Sequence, residues 1–415
     1  MTLTFVIDHS FIVEKWRQGN KFRLSLTKKQ KVILLRWIGS CRFVYNCGLE
    51  HRVTCYNRQY PKSVFYFEQQ NALPEIKRDP DFDWLKDVPS QSLQLALRNL
   101  DIAFGRFFKG IGKFPKRKKK SYGNITFPQG DRLVPIPISN KKSGVKIPKL
   151  GKIKFIHHRK LIGKIKSATI SLCAGKFYIS FLTEEEKVIP LMPLDPKYAI
   201  GIDMGVKKSI ALSNDKFENL DVENIIKIEK RIEKLQRKLS KQEKFSGRWK
   251  YFQKIISRLH SQIANIRREF LHRVSRELAE SQSIVCMEDL RVKNMSKSAK
   301  GSLQNPGKNV AQKSGLNKSI LRQGWGMFRT MLEYKCKKFG STLVLVNPKN
   351  TSRECRKCHF VSKENRKTQE NFLCVNCGHD ENADLLASKN IKRRGLASLG
   401  LEEALEAPTI IALAI

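Results

Sequence analysis

The sequence predicts an α/β protein of several domains. A small β-barrel is interrupted by a helical module, and a second α/β region follows with a zinc ribbon inserted near its end. Three observations predict this. Short alternating apolar runs broken by Pro and Gly flank a block of helical periodicity. Two Cys-x2-Cys pairs stand 15 residues apart, between Cys358 and Cys374. Two apolar runs, 199–203 and 284–288, each end on an acid. A chain of 415 residues has room for about two to four domains.

Residues 1–26 contain an alternating stretch, Phe22 to Leu26, that reads as a strand. Thr27 is placed to cap a helix, with Gln30 completing a capping box. Ile33, Leu34, Trp37, Ile38, Phe43, Val44 and Leu49 carry that helix. Leu93, Ala96, Leu97, Leu100 and Phe104 carry a second, so 27–112 reads as a helical module. Helical periodicity stops at the basic run Lys113–Lys120. In 113–190 alternation returns, with a hairpin turning at Ala174-Gly175, so the helices are expected as an insertion into a barrel. A linker is expected over 184–196. Strand, turn and strand follow over 198–212. Two long helices within 221–280 are broken at Phe245-Ser246-Gly247. Residues 293–318 read as a polar loop. One helix through Ile320, Trp325, Phe328 and Leu332 and a strand over 342–346 complete the region.

Lys and Arg total 80 against 38 Asp and Glu, a net charge of +42. This charge is interleaved with apolar residues from Lys15 to Arg394, which excludes a disordered basic tail. A polyanion is the expected partner, and nucleic acid is the first candidate. No apolar run approaches the ~18 residues of a membrane span, and no secretion signal is expected at Met1–Ser10. Cys41, Cys47, Cys55, Cys173, Cys286 and Cys336 read as small buried hydrophobes.

Cys355, Cys358, Cys374 and Cys377 have the spacing of two knuckles around one structural zinc ion. Four protein ligands close the site, so the metal would hold the fold and do no chemistry. His359 and His379 stand beside the knuckles and are expected not to be ligands. Asp203, Glu288 and Asp384 are carboxylates far apart in sequence. Convergence would let them hold two Mg²⁺ ions, one activating water and one stabilising a leaving 3′ oxygen. Taken singly, Gly201-Ile202-Asp203-Met204-Gly205 equally suits the phosphate loop of an actin-like ATPase. Only one of Glu288 and Asp289 can face the same way as its neighbours.

The set of motifs resembles the TnpB family of RNA-guided DNA endonucleases of insertion sequences, relatives of the compact type V CRISPR nucleases. The resemblance rests on Gly201–Gly205, Met287–Leu290 with Lys293-Asn294-Met295, Gly324-Trp325, Leu332–Lys335, and Asn347–Ser352 leading into the four cysteines. Asn382–Asp384 and Ala387–Ile391 complete it, and Arg42–Asn46, Val88–Gln91, Ala96–Asp101 and Phe114–Lys116 extend it over about 20–392. It implies a wedge barrel of 1–26 and 113–190, with recognition helices 27–112 between. It implies a RuvC-like nuclease of RNase H fold in 197–347 and 379–395, a zinc ribbon in 348–378 and a tail in 396–415.

The resemblance makes Asp203, Glu288 and Asp384 the catalytic, magnesium-binding triad. It implies a guide RNA from the transposon end, a double-stranded DNA target cut beside a short protein-read motif, and base pairing as the source of sequence choice. A nuclease-weak RNA-guided repressor and a DNA-strand-joining transposase are the alternatives. A monomer is the favoured state, in the cytoplasm of a bacterium or archaeon. Tyr56, Gln91 and Gln129 lie where the family reads the adjacent motif, and amides pair well with adenine. Lys116, Arg117, Lys118, Lys119 and Lys120 are expected at phosphates. The chain departs from the family pattern at Leu386, usually Asn, and at His359, usually Gly.

Overall fold

The structure is a computed structural model describing residues 5–8, 11–57, 62–119 and 123–401. The described residues divide into two compact units, one of residues 14–187 and one of 188–401 together with 5–8 and 11–13. The division therefore falls three residues before 190, and residues 5–8 and 11–13 group with the second unit.

In the first unit the strand expected at Phe22–Leu26 is much longer. After β1 (Phe5–Asp8), β2 runs Phe11–Ser25. Thr27 then caps α1 (Lys28–Tyr56): its Oγ1 accepts from Gln30 N at 3.2 Å, and its own N–H donates to Gln30 Oε1 at 3.1 Å. The helices α2 (Tyr66–Asn71), α3 (Leu73–Arg78) and α4 (Ser90–Phe108) follow. The remaining strands are β3 (Asn124–Phe127), β4 (Ile136–Ser139), β5 (Lys142–Ile147), β6 (Gly151–Ile156), β7 (Lys164–Cys173) and β8 (Lys176–Pro190). Ala174 and Gly175, both at positive φ, make the two-residue turn between β7 and β8. The strand order is β3-β7-β8-β2-β6-β5-β4, with β1 on β2. Among the described residues no ladder joins β3 to β4.

One apolar cluster unites this unit. It joins Leu34, Trp37, Leu93 and Leu100 of the helices to Phe22, Ile125, Phe155 and Phe181 of the strands. The helical module thus has no separate core. The expected linker from Glu184 is instead strand: Glu184 pairs across the ladder with Lys164 and takes Arg17 at 2.6 Å and Lys166 at 3.2 Å. Cys47 and Cys173 are exposed, against expectation; Cys41, Cys55, Cys286 and Cys336 are buried.

The second unit is built on a five-stranded sheet: β9 (Ala199–Asp203), β10 (Ile210–Leu212), β11 (Phe217–Glu218), β12 (Ile284–Glu288) and β13 (Thr342–Val346), ordered β11-β10-β9-β12-β13. β9 to β11 are antiparallel, while β12 runs parallel to both β9 and β13. Alternation sends Ile200, Ile202, Val285 and Met287 to one face. There they meet α5 (Val222–Ser240), α6 (Gly247–Ser281), α8 (Val310–Gln323) and α9 (Trp325–Phe339), preceded in the chain by the short α7 (Val292–Met295). Ala199, Ile284, Cys286, Val344 and Val346 face the other way, onto Ile391 and Leu396 of α10 (Ala383–Ser398). β14 (Asn371–Leu373) and β15 (Asp380–Asn382) form the ribbon hairpin.

Three expectations change here. The polar loop 293–318 contains α7 and the start of α8. α8 is held by side-chain bonds to backbone: Lys313 Nζ donates to Met295 O at 2.7 Å, and Asn317 Nδ2 to Ser296 O at 3.1 Å. Such contacts override a composition of Ser, Asn and Gly that is poor for helices. The single helix expected through Trp325 is two helices, separated by Gly324 at φ +77°. The tail does not begin at 396, because α10 continues to Ser398 with Leu396 fully buried. Residues 402–415 lie outside the described residues.

α10 lies close on the sheet because Gly201 has no side chain. A Cβ there would stand 2.0 Å from Ser388 O. Gly201→Ala is therefore expected to destabilise the second unit by about 3 kcal/mol. Gly247→Ala, at a helix start with open space around it, should be neutral or stabilising. Thermal melting of the two variants checks both.

Candidate active site and metal centre

Asp203 ends β9, and Glu288 ends the adjacent parallel strand β12, one residue beyond the pair Met287–Ile202. Both therefore fall on the face that carries α10. Asp384 lies in the first turn of α10. Asn382 caps that helix, its Oδ1 accepting from the N–H groups of Asp384 at 3.1 Å and Leu385 at 3.2 Å. The glycines around Asp203 have packing roles: Gly201 admits α10, and a Cβ on Gly205 would stand 2.2 Å from Lys208 O in the turn to β10.

The three acids are electrostatically joined. Burial, then the charges of Glu288 and Asp384, push the Asp203 carboxyl up to about 8, with Arg366 opposing. Burial also raises Glu288, against a hydrogen bond from Thr351 Oγ1 at 2.6 Å and the charge of Arg394. Arg366 Nη2 donates to Asp384 Oδ1 at 3.0 Å and to Gln369 O at 2.6 Å. Asp289 is exposed and pairs with Arg329, outside this group. Among the described residues the four cysteines form the one set of three or more groups placed to hold a metal ion, their ligand atoms all within 4.8 Å of one another. Sequence reasoning missed Thr351 and Arg366, which are ordinary residues until the fold sets them beside Glu288 and Asp384.

Cys355 Sγ lies 3.6 Å from Cys377 Sγ, and Cys358 Sγ lies 3.5 Å from Cys374 Sγ. A tetrahedron with zinc–sulfur bonds of about 2.3 Å has edges of roughly 3.8 Å, so the donor set fits one zinc ion. The separations are far too long for disulfides, which need about 2.05 Å. Burial pushes the Cys355 thiol up to about 12, while the N–H of Phe360 helps hold Cys358 down at about 6. His379 Nε2 lies 3.2 Å from Glu381 and His359 Nδ1 3.6 Å from Glu354; neither histidine joins the sulfur set. His359 sits at φ +58°, a conformation that glycine adopts without strain. Leu386 is fully buried with Ala383, Phe372, Cys355 and Cys374, so α10 supports the ribbon directly.

The expected nucleic-acid residues separate. Gln91 and Gln129 line one groove of about 240 Å³ with Arg132 and Lys149. Tyr56, exposed at the end of α1, does not line it. Lys116 and Lys119 are exposed, and Arg117 is 3.6 Å from Glu50. Lys118 is exposed too; its Nζ lies 3.8 Å over the Tyr45 ring, and its backbone is hydrogen-bonded both ways to Asn46. Lys120 lies outside the described residues. A larger basic groove, missed in sequence, is lined by Lys29, Arg36, Arg42, Lys86 and Trp84.

Comparison with known proteins places this chain. A protein of Escherichia coli strain K12 named "Putative RNA-guided DNA endonuclease InsQ" is 38% identical over 394 residues, 94% of this chain and 95% of that one. The chain belongs to the TnpB family. A "Putative RNA-guided DNA endonuclease" of Streptomyces pristinaespiralis is 29% identical, over 93% of this TnpB-family chain and 91% of its own length. The profile described as "Probable transposase" matches residues 180–299, and that of the "Cas12f1-like, TNB domain" matches 325–391. A profile described as "Helix-turn-helix domain" matches 17–59, where the structure has the end of β2 and one continuous helix. Among solved structures, "Structure of the mini-RNA-guided endonuclease CRISPR-Cas_phi3" aligns with a TM-score of 0.51 over 92% of both chains at 12% identity, a likeness of fold. Among the described residues no helix is long and apolar enough to cross a membrane.

Two outcomes follow from this geometry. Cys374→Ser should reduce bound zinc from one per chain to none and open residues 350–382 to limited proteolysis. A raised Asp203 keeps its proton in the folded chain at pH values where the unfolded chain has lost it. Stability without divalent ions is thus greatest below pH ~4 for this group and falls as pH rises toward 8. Asp203→Asn should remove that loss, stabilising the metal-free protein at pH 8 by at least ~1 kcal/mol, with little gain at pH 4, as measured by denaturant titration.

Proposed function

We propose that this chain is an RNA-guided, Mg²⁺-dependent DNA endonuclease. It takes a guide RNA from the end of its transposon and cuts double-stranded DNA beside a short motif that the protein reads. The observation that carries this reading is the convergence of Asp203, Glu288 and Asp384 on one face of the sheet, in a chain of net charge +42. The names of the whole-length relatives support it. The strand order β11-β10-β9-β12-β13, three antiparallel strands and then parallel ones, supports a RuvC-like nuclease of RNase H fold over 197–395.

The donor set suits magnesium. Three carboxylates offer hard oxygen ligands, and the burial and neighbouring negative charges that raise Asp203 are what a divalent cation offsets. Two Mg²⁺ ions bound there supply activation of a water and stabilisation of the leaving 3′ oxygen. Asp203 and Glu288 present their carboxylates from rigid strand ends, and Asp384 does so from a capped helix. Arg366 balances Asp384 with a planar guanidinium that also suits phosphate oxygens. In the first unit, Gln91 and Gln129 share a groove with Arg132 and Lys149, a set suited to reading base edges between phosphate contacts. Lys116, Arg117, Lys118 and Lys119 are exposed and serve as backbone contacts, with Lys118 also lying over the Tyr45 ring.

The protein should co-purify with a discrete RNA whose sequencing identifies the guide. That complex should cut a plasmid carrying the matching target in Mg²⁺. Asp203→Ala should reduce cutting to background while RNA binding is retained. Cutting at the wild-type rate by that variant would overturn the assignment.

A further inference from the structure

We infer that Thr351 is the positioning residue for Glu288, and that Asn390 locks Thr351 to the helix that carries Asp384. The inference rests on the endonuclease reading above.

Glu288 and Val346 end the parallel strands β12 and β13 side by side, and the Asp289 N–H donates to Val346 O at 2.9 Å. The chain leaving Val346 turns back through Asn350, at φ +63°, and sets the buried Thr351 against Glu288. The Thr351 hydroxyl has one proton and two acceptors in reach: Glu288 Oε1 at 2.6 Å and Pro348 O at 3.3 Å. The shorter, charge-assisted contact takes it. One carboxylate oxygen is thereby fixed, which orients the other.

Asn390 holds this turn from behind. Its Nδ2 donates to Thr351 O and to Glu354 O, both at 2.9 Å, so two hydrogens satisfy two carbonyls. The residue is fully buried, and both hydrogens of its amide are used in these two bonds. Arg393 and Arg394, on the same helix, both reach the Glu354 carboxylate. The turn 351–354 is therefore clamped to α10 by three side chains. Asp384 sits six residues before Asn390 on that helix. Any shift of the turn would move Glu288 relative to Asp384. A ligand's hydrogen-bonded support of this kind commonly sets metal affinity by about 10–100-fold.

Thr351→Val removes the hydroxyl and keeps the shape; Thr351→Ser keeps the hydroxyl. Each is tested as the RNA complex by Mn²⁺ binding, read by electron paramagnetic resonance as the signal beyond that of the Asp203→Ala complex. For Thr351→Val the Mn²⁺ concentration at half saturation should rise about tenfold, and that for half-maximal cutting should rise with it. Thr351→Ser should restore both, with melting temperature, bound zinc and RNA affinity unchanged throughout. Wild-type Mn²⁺ binding by Thr351→Val would overturn the inference. So would loss of zinc and lowered melting in both variants, which would make Thr351 a structural residue only. If Asp203→Ala removes no bound Mn²⁺ and cuts normally, the endonuclease site itself fails. If Asp203→Ala is inactive while Thr351→Val behaves as wild type, only the positioning role fails.

Discussion

The close seating of α10 on the sheet is the constraint on which the second unit depends. Gly201 and Gly395 allow it from both sides. A Cβ on Gly201 would stand 2.0 Å from the helix backbone, and one on Gly395 would stand 2.2 Å from Cys286 Sγ. Leu386, Ile391 and Leu396 are fully buried along the helix, each contributing about 1.5–3 kcal/mol. From this one seat the helix sets three things. Its first turn presents Asp384, its middle clamps the turn that touches Glu288, and Ala383 and Leu386 pack beneath the cysteine ribbon. β9, against which Gly201 lets it rest, ends in Asp203. Three acids separated by up to 181 residues thus share one mechanical reference.

That arrangement works against stability locally. Burial, then the charges of Glu288 and Asp384, raise the Asp203 carboxyl to about 8 in a chain that otherwise has a large excess of cations. Four of those cations are used nearby: Arg366 on Asp384, Arg393 and Arg394 on Glu354, and Lys389 on Glu381 at 2.5 Å. At Glu288 it is Thr351 that supplies the hydrogen bond, from a neutral donor. A neutral donor orients a carboxylate without cancelling its charge, as a site for divalent ions requires.

Much of this was legible in sequence where the signal is local. The stripe Ile225, Ile228, Ile232 and the stripe Leu259, Ile263, Phe270, Val274 face the core as their periodicity requires. The capping box at Thr27 and the turn at Ala174-Gly175 form as their residue types dictate. The cysteine spacing brings four sulfurs together because each Cys-x2-Cys is a short, stiff knuckle. The errors fall where long-range contacts decide. α8 forms from a loop-like composition because Lys313 and Asn317 bond to the backbone of 295–297, and Glu184 stays in a strand because Arg17 and Lys166 hold it. Lys118 belongs to an exposed basic run, and only the fold sets its ammonium over the ring of Tyr45.

The sequence by itself therefore determined most of the element types, the sulfur spacing, the positive charge and the family, because each follows from spacing or composition within one stretch of chain. Only the tertiary structure decided which acids share a face. It also brought Gln91 and Gln129 into one groove and made Thr351, Asn390 and Arg366 parts of the site. Those roles depend on contacts between segments that are distant in sequence, such as Thr351 with Glu288 across 63 residues. Whether a threonine is a solvated turn residue or the hydrogen-bond partner of a buried glutamate is written in its neighbours, and folding alone supplies them.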